Sequence, residues 1–399
     1  MTQAGGRAYR AIPGPSIIPD EVLQAMHRAA PNIYAGEVVE LTESLIPDLK
    51  RVARTDGHVA IYICNGHGTW EASLANLVAP GERVLVPVTG LFGHSWTRLA
   101  QGLGIQTQVL DFGLNAPADP ALIADVLKKD VKHEIKAILL THVDTSTSVR
   151  ANVKAIHDQI QALNHPALLI ADCIASLGCD RFEMDEWGVD VAVTGSQKGL
   201  MTPPGLGFVF FNEKAAAVRK KLSQVSPYWD WSARVKPDLF YQYFAGTAPT
   251  HHLYGLRAAL DLIRGEGIEA VWDRHEKLAN AIWAACDAWG KDGSIALNIA
   301  EPDHRSRAVT TIKMAAPDAT RLRHWVEAEM GLTLGIGLGM ETEADPSGDG
   351  AFRIGHMGHV NGQMIMGVLG AIEAGLSALG IAHAPGGTAA AARVLGQKA

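Results

Sequence analysis

Apolar and polar positions along this chain follow two periods. From His58 to Gly195, short apolar runs of strand length alternate with segments of helical spacing: HVAIYIC leads through NGHG into WEASLANLV, and RVLVPV leads through TGLFG into HSWTRLAQGLG. QTQVLDF then precedes ALIADVLKK, IKAILLTHV precedes VKAIHDQIQAL, and ALLIADC and VDVAVTG follow. Sustained βα alternation predicts an α/β protein whose mostly parallel sheet is sandwiched by helices. Ligands of such sheets sit beyond the carboxyl ends of the strands, so the loops after each apolar run are where chemistry is expected.

The pattern changes after Thr250. A helix over THHLYGLRAALDLIRGEG runs into a longer one, IEAVWDRHEKLANAIWAACDAWG, and strands such as AVTTIKM and AFRIGHM then alternate with the helices DATRLRHWVEAEMG and GQMIMGVLGAIEAGLSAL. This predicts a smaller C-terminal α+β domain over residues 256–399, following a large domain over 19–255. Residues 1–18, which include the Pro/Gly-punctuated RAIPGPSII, read as an extended arm of the kind that often crosses to a partner subunit. A helix is expected to open at Pro19 and Asp20. The helical spacing of Glu37 to Arg54 is interrupted by Pro47, where a new turn or a kink is expected. The tail from Pro385 predicts a short terminal helix.

The chain of 399 residues is long enough for two such domains, and 35 basic against 42 acidic residues with no basic run argue against nucleic acid as a partner. Cys64, Cys173, Cys179 and Cys286 are too irregularly spaced for a disulfide framework or a zinc cluster, which suits a reducing compartment. MTQAGGRAYRAI has no apolar core of signal-peptide length. The weakly polar run Met364 to Ala382 contains Glu373 and many small residues, so it reads as a buried amphipathic helix and not a membrane span. A cytoplasmic protein is expected.

One lysine stands out. Lys198 lies between two apolar runs in VDVAVTGSQKGLMTPPGLGFVF, with Gly195 and Ser196 before it and Gly199 after it. It is either a surface turn or an amine carried into apolar surroundings, where desolvation would make it a nucleophile toward a carbonyl. The glycines of Asn65-Gly66-His67-Gly68, between a strand and a helix, form a tight turn or expose backbone N–H groups to an anion such as phosphate. Asp172, ending ALLIAD, caps the next helix or holds a protonated ring nitrogen. Phe92 in TGLFG is a core residue or a stacking surface. Asp144, Thr145, Ser146 and Thr147 form an ordinary polar turn or a set of donors for a phenolic oxygen or substrate. Arg353, inside the apolar AFRIGHM, suits a carboxylate or an inter-domain ion pair.

In their order along the chain these features resemble the class V aminotransferases of fold type I, which use pyridoxal 5'-phosphate, and most closely their serine-glyoxylate and alanine-glyoxylate branch. The resemblance runs through IPGPSIIPDEV, NGHGTWEASL, HEIKAILLTH, HPALLIADCIASLG, DEWGVDVAVTGSQKGLMTPPGLG, LYGLRAAL and FRIGHMG. It implies that Lys198 is the Schiff-base lysine and Asp172 the carboxylate on the pyridine nitrogen. It also implies that Phe92 stacks on the ring, that Gly66, His67 and Gln197 contact the phosphate, and that Thr145 lies near the ring oxygen. Thr247, in FAGTAP, matches a threonine that reaches the phosphate from a neighbouring subunit, implying a homodimer with shared active sites. Arg353 matches the arginine that binds the substrate carboxylate. The implied reaction moves an amino group from a small amino acid, such as serine, alanine or aspartate, to a small 2-oxo acid, glyoxylate or pyruvate.

Departures from the branch bear on the substrate. Ile33 and Tyr34 stand where the glyoxylate enzymes usually carry a His-Arg pair, and the H-N-E-T or H-G-E-S segment is His142, Val143, Asp144 and Thr145. Both changes resemble the pyridoxamine-pyruvate transaminase relative. That relative's loop glutamate, however, aligns with Asn65 here, and its second carboxylate-binding arginine aligns near Leu338. The family's phosphate-site tyrosine is replaced by Phe244, with Tyr243 adjacent. Two other classes remain to be tested: a metal hydrolase using ligands among His67, His94, His142, Asp144, His356 and His359, and a noncatalytic cofactor-binding module.

Overall fold

The computed structural model describes residues 4–292 and 295–397. Its strands are β1 (Tyr9–Ala11), β2 (His58–Tyr62), β3 (Arg83–Val88), β4 (Gln106–Asp111), β5 (Ile135–Thr141), β6 (Leu168–Asp172), β7 (Val191–Gly195), β8 (Gly207–Phe211), β9 (Ala296–Leu297), β10 (Val309–Lys313), β11 (Leu332–Ile336) and β12 (Ala351–Gly355). The larger sheet has the order β2-β8-β7-β6-β5-β3-β4. Pairing is parallel from β7 through to β4, while β8 runs antiparallel to both β2 and β7. A parallel return needs a crossover of a dozen or more residues, usually helical. The connection from β7 to β8, residues 196–206, has no helix, so the chain turns straight back. Lys198 lies in that return.

Strand periodicity sorts the side chains onto two faces. Ile138, Leu140, Leu169, Ala171, Ala192, Phe208 and Phe210 enter one core together with Val52 and Leu256. Their neighbours Ala137, Leu139, Leu168, Ile170, Val191, Val193 and Val209 enter the other, against Trp70 and Trp96. Every residue of β6, β7 and β8 is buried, as a sheet covered on both faces requires, whereas the edge strand β4 alternates toward solvent. The mostly parallel sheet between helices is therefore as the pattern predicts.

The second sheet has the order β1-β11-β12-β10-β9, with β1 parallel to β11 and the other pairs antiparallel. It packs against the helices Ile268–Trp289, Asp318–Met330 and Gly362–Ala378. The N-terminal arm thus contributes a strand to this sheet of its own chain, and Ala11 enters that core. The division at 255/256 falls inside the helix Thr250–Glu266, whose buried Leu253, Leu256, Leu260 and Ile263 all belong to the large core. Along the helix Ile268–Trp289, Val271 and Trp272 still pack there, and from Leu278 the side chains belong to the small core.

The helix Glu37–Ala53 continues through Pro47 instead of restarting. Glu43, whose carbonyl loses its helical partner there, and Pro47 are both exposed, so that carbonyl is not left in the core. Among the described residues no helix is long and apolar enough to cross a membrane.

Candidate active site

The segments that follow β2, β3, β5 and β7 carry Gly66 and His67, Phe92, Thr145, and Gln197 and Lys198, and Asp172 ends β6 itself. All lie at the carboxyl edge of strands that run the same way, where the parallel sheet leaves its crevice. β12 brings Arg353 to this edge from the second sheet, opposite Thr311 of β10 and Gly335 of β11.

Asp172 closes β6, paired with Thr141 on β5 and Val193 on β7. Its Oδ1 accepts the Ile174 N–H at 2.8 Å. Burial pushes the carboxyl up to about 7, reinforced by the Asp144 charge and opposed by the Ile174 N–H and the Lys198 charge. Burial likewise pushes the Lys198 amine down to about 8, reinforced by the Arg353 charge and opposed by Asp172. The two loops can meet because Gly199 lacks a side chain: a Cβ there would collide with the Leu177 carbonyl oxygen. The arm forms one wall. Lys198 Nζ donates to the Pro13 carbonyl, Ser16 Oγ donates to the Lys198 carbonyl at 2.7 Å, and the Ser16 N–H donates to the Gln197 carbonyl at 2.8 Å.

Arg353 is buried, and burial holds its guanidinium down to about 10. Nε donates to the Ile336 carbonyl at 2.8 Å and Nη1 to the Thr145 carbonyl at 2.9 Å. Nη2 makes no hydrogen bond among the described residues, so two bonds aim the planar fork and one nitrogen is left for a ligand. No carboxylate hydrogen-bonds this arginine among the described residues, although the buried Asp144 charge of the large domain acts on it. The Thr145 hydroxyl likewise makes no hydrogen bond among the described residues.

The helix Gly66–Ala75 starts in the crevice. Asn65 caps it, its side-chain oxygen accepting the His67 N–H at 3.1 Å and the Gly68 N–H at 3.3 Å, so two donors of the anticipated anion loop are already bonded within the chain. The His67 ring lies against Trp70 with centroids 4.6 Å apart, and Phe92 meets Trp70 edge-on at 6.5 Å. Trp70 was not singled out in the sequence. Its position three residues after His67 was the available signal, because that spacing puts both on one helical face. Gln197 has a buried, unpartnered amide oxygen. Turned over, the same amide offers its two N–H donors to an anion, and the two orientations are distinguished only by their partners.

Three singled-out positions are not gathered here. Thr247 is exposed, and no hydrogen bond ties it to Lys198 or Asp172 among the described residues. Phe244 is buried in the large core, with Tyr243 half-buried beside it. Nor do the histidines converge: His142 Nδ1 pairs with Ser176 Oγ at 2.9 Å and His356 Nε2 with Thr310 Oγ1 at 2.9 Å. Among the described residues no three His, Cys, Asp or Glu side chains group as metal ligands, so the hydrolase alternative has no structural support.

The crevice therefore fits an aromatic phosphate ester bearing an aldehyde. It has an amine held below its usual range, a buried carboxyl that would be relieved by a cationic ring nitrogen, an unpartnered buried amide, and a helix start. The family model described as aminotransferase class-V matches residues 61–339, a span holding every candidate site residue except Arg353. The chain belongs to the class-V aminotransferases. It is 36% identical to the serine–glyoxylate aminotransferase of Methylorubrum extorquens over 98% of this chain and 96% of that one. Among solved structures it is similar to pyridoxamine-pyruvate aminotransferase from Mesorhizobium loti, with a TM-score of 0.87 and 26% identity over 99% and 98% of the two chains. Ureidoglycine-glyoxylate aminotransferase from Bacillus subtilis gives 0.86 and 26% over 98% and 99%. Family, relatives and fold together make the chain a pyridoxal phosphate-dependent aminotransferase of small amino acids and 2-oxo acids, which answers the noncatalytic alternative.

Proposed function

We propose that the protein transfers the amino group of serine, alanine or aspartate to glyoxylate, as a homodimer in which Thr247 of each chain completes the other's phosphate site. The observation that carries the assignment of the centre is geometric: Asp172 ends β6, Lys198 follows the adjacent β7, and each is near enough for its charge to act on the other. When bound, pyridoxal phosphate supplies the aldehyde and the electron-withdrawing ring that make the substrate's α-proton acidic. Lys198 would hold it through Nζ, and the same amine would serve as the general base and acid that moves a proton, for which an amine near neutrality is suited. Asp172 holds the ring nitrogen's proton. Phe92 covers the ring face, Thr145 donates to the ring oxygen, and Gly66, His67 and Gln197 hold the phosphate.

Arg353 holds the substrate carboxylate with its free Nη2 and so fixes which bond lies across the ring, a positioning effect. Arg353→Ala should raise the KM for the amino acid about a hundredfold or more, within the range for losing a buried charge-assisted pair, with cofactor absorbance retained. Steady-state kinetics on both substrates check this, and an unchanged KM would remove the arginine from the substrate site.

The segment His142, Val143, Asp144 and Thr145, together with the likeness to the Mesorhizobium structure, favours a second reading: free pyridoxamine as donor and pyruvate as acceptor. Assaying serine, alanine, aspartate and free pyridoxamine against glyoxylate and pyruvate tests both. Turnover of an amino acid with glyoxylate supports the first reading, and turnover confined to pyridoxamine with pyruvate replaces it.

A further inference from the structure

The four polar residues after β5 have separate tasks. Asp144 is wholly buried and accepts four hydrogen bonds: Oδ2 from the Phe92 N–H at 2.9 Å and the Gly93 N–H at 3.2 Å, Oδ1 from the Ser146 N–H at 3.0 Å and Ser146 Oγ at 2.5 Å. Ser146 Oγ in turn accepts the Leu91 N–H at 3.1 Å. The first three N–H groups of the helix Leu91–Gly102 are thus satisfied by two side chains from a loop on another strand. A helix start favours an anion there, and all three donors are met by partners within the chain.

The helix cannot cap itself, because its N-cap is Gly90. That glycine is also what admits the foreign cap, since a Cβ on it would lie 2.6 Å from Asp144 Cγ and 2.7 Å from Ser146 Oγ. Thr147 Oγ1 adds a bond to the Thr89 carbonyl at 2.9 Å. The same loop receives the small domain: the Thr145 carbonyl accepts Arg353 Nη1, and the Ser146 carbonyl accepts Thr311 Oγ1 at 3.0 Å. Burial raises the Asp144 carboxyl above its ordinary value, and the four donors offset this only in part.

We propose that Asp144 is a positioning residue that caps the Phe92 helix from the β5 loop, and thereby fixes the ring-covering Phe92 relative to the Thr145 hydroxyl and the Arg353 fork. The inference rests on the reading of this crevice as a pyridoxal phosphate site. Asp144→Asn keeps the volume but sets an amide N–H2 against N–H donors. Ser146→Ala removes one arm of the cap and leaves the charge.

The test measures pyridoxal phosphate affinity by titration of the cofactor-free protein, the visible circular dichroism of the bound cofactor, KM against kcat for the amino donor, and the melting temperature of the cofactor-free protein. Asp144→Asn should weaken the cofactor about tenfold or more, alter its dichroism and raise KM, with Ser146→Ala changing each in the same sense by less. A drop in melting temperature with affinity, dichroism and KM unchanged would reduce Asp144 to a structural cap and overturn the proposal. If Asp144→Asn does not fold, Ser146→Ala decides alone by the same readouts. Failure of the underlying reading has a different signature: the unaltered protein itself would then bind no pyridoxal phosphate.

Discussion

Lys198→Ala is expected to lower turnover by at least about ten-thousandfold, the upper end of what a positioned general acid-base group contributes, and to remove the cofactor absorbance that borohydride would bleach. Both effects follow from one nitrogen, which holds the cofactor and moves the proton. Substantial activity in the variant would reject the mechanism. The same substitution should make the cofactor-free protein more stable at neutral pH. The amine titrates near 8 in the fold against an ordinary value of 10.5. A depressed value makes its contribution favourable above about 10.5 and lost as pH falls through 8, so below that the fold carries a partly desolvated charge at a cost of about 3 kcal/mol. Removing the amine relieves this, and chemical denaturation at pH 7 and pH 10.5 should show the advantage of the variant shrinking at the higher pH.

Asp172→Asn should leave the cofactor bound while cutting turnover about a hundredfold to a thousandfold, as loss of one preorganised electrostatic partner does. The amide keeps the size and the bond from the Ile174 N–H but carries no charge for the ring nitrogen. Single-turnover absorbance would separate the two steps, with binding near that of the unaltered protein and slow proton removal. Equal rates would exclude the carboxylate from the chemistry. Here the stability sign is opposite to that of the lysine. A carboxyl raised from 3.8 to about 7 in the fold contributes fully below about 3.8 and loses that contribution as pH rises through 7. The cofactor-free asparagine variant should therefore gain on the unaltered protein as pH rises across that window.

Much of this was legible in the chain. The short apolar runs ALLIAD and VDVAVTG contain β6 and β7, and Gly66, Phe92, Thr145, Asp172, Lys198 and Arg353 are delivered to the edge in chain order by the segments after the strands, by β6 and by β12. Short apolar strands, their loops and a lysine between two of them are local features, readable from neighbours along the sequence. The pieces less easily read were too short or too dependent on distant partners. β1 and β9 hold too few residues for periodicity, and the arm was legible as extended but not as a wall against Lys198.

Asp144 shows the difference most clearly. Within the sequence it is one of four polar residues in a turn, and nothing nearby says that its oxygens are spent on Phe92 and Gly93 while Thr145 keeps a free hydroxyl. Local pattern was enough to establish the layered sheet, the lysine and the acid at its edge, because hydrophobic burial acts on short periods. Which polar side chain serves the scaffold and which serves the ligand depended on donors and acceptors brought together from distant strands, since a hydrogen bond requires its partner in place and the partner is set by the fold.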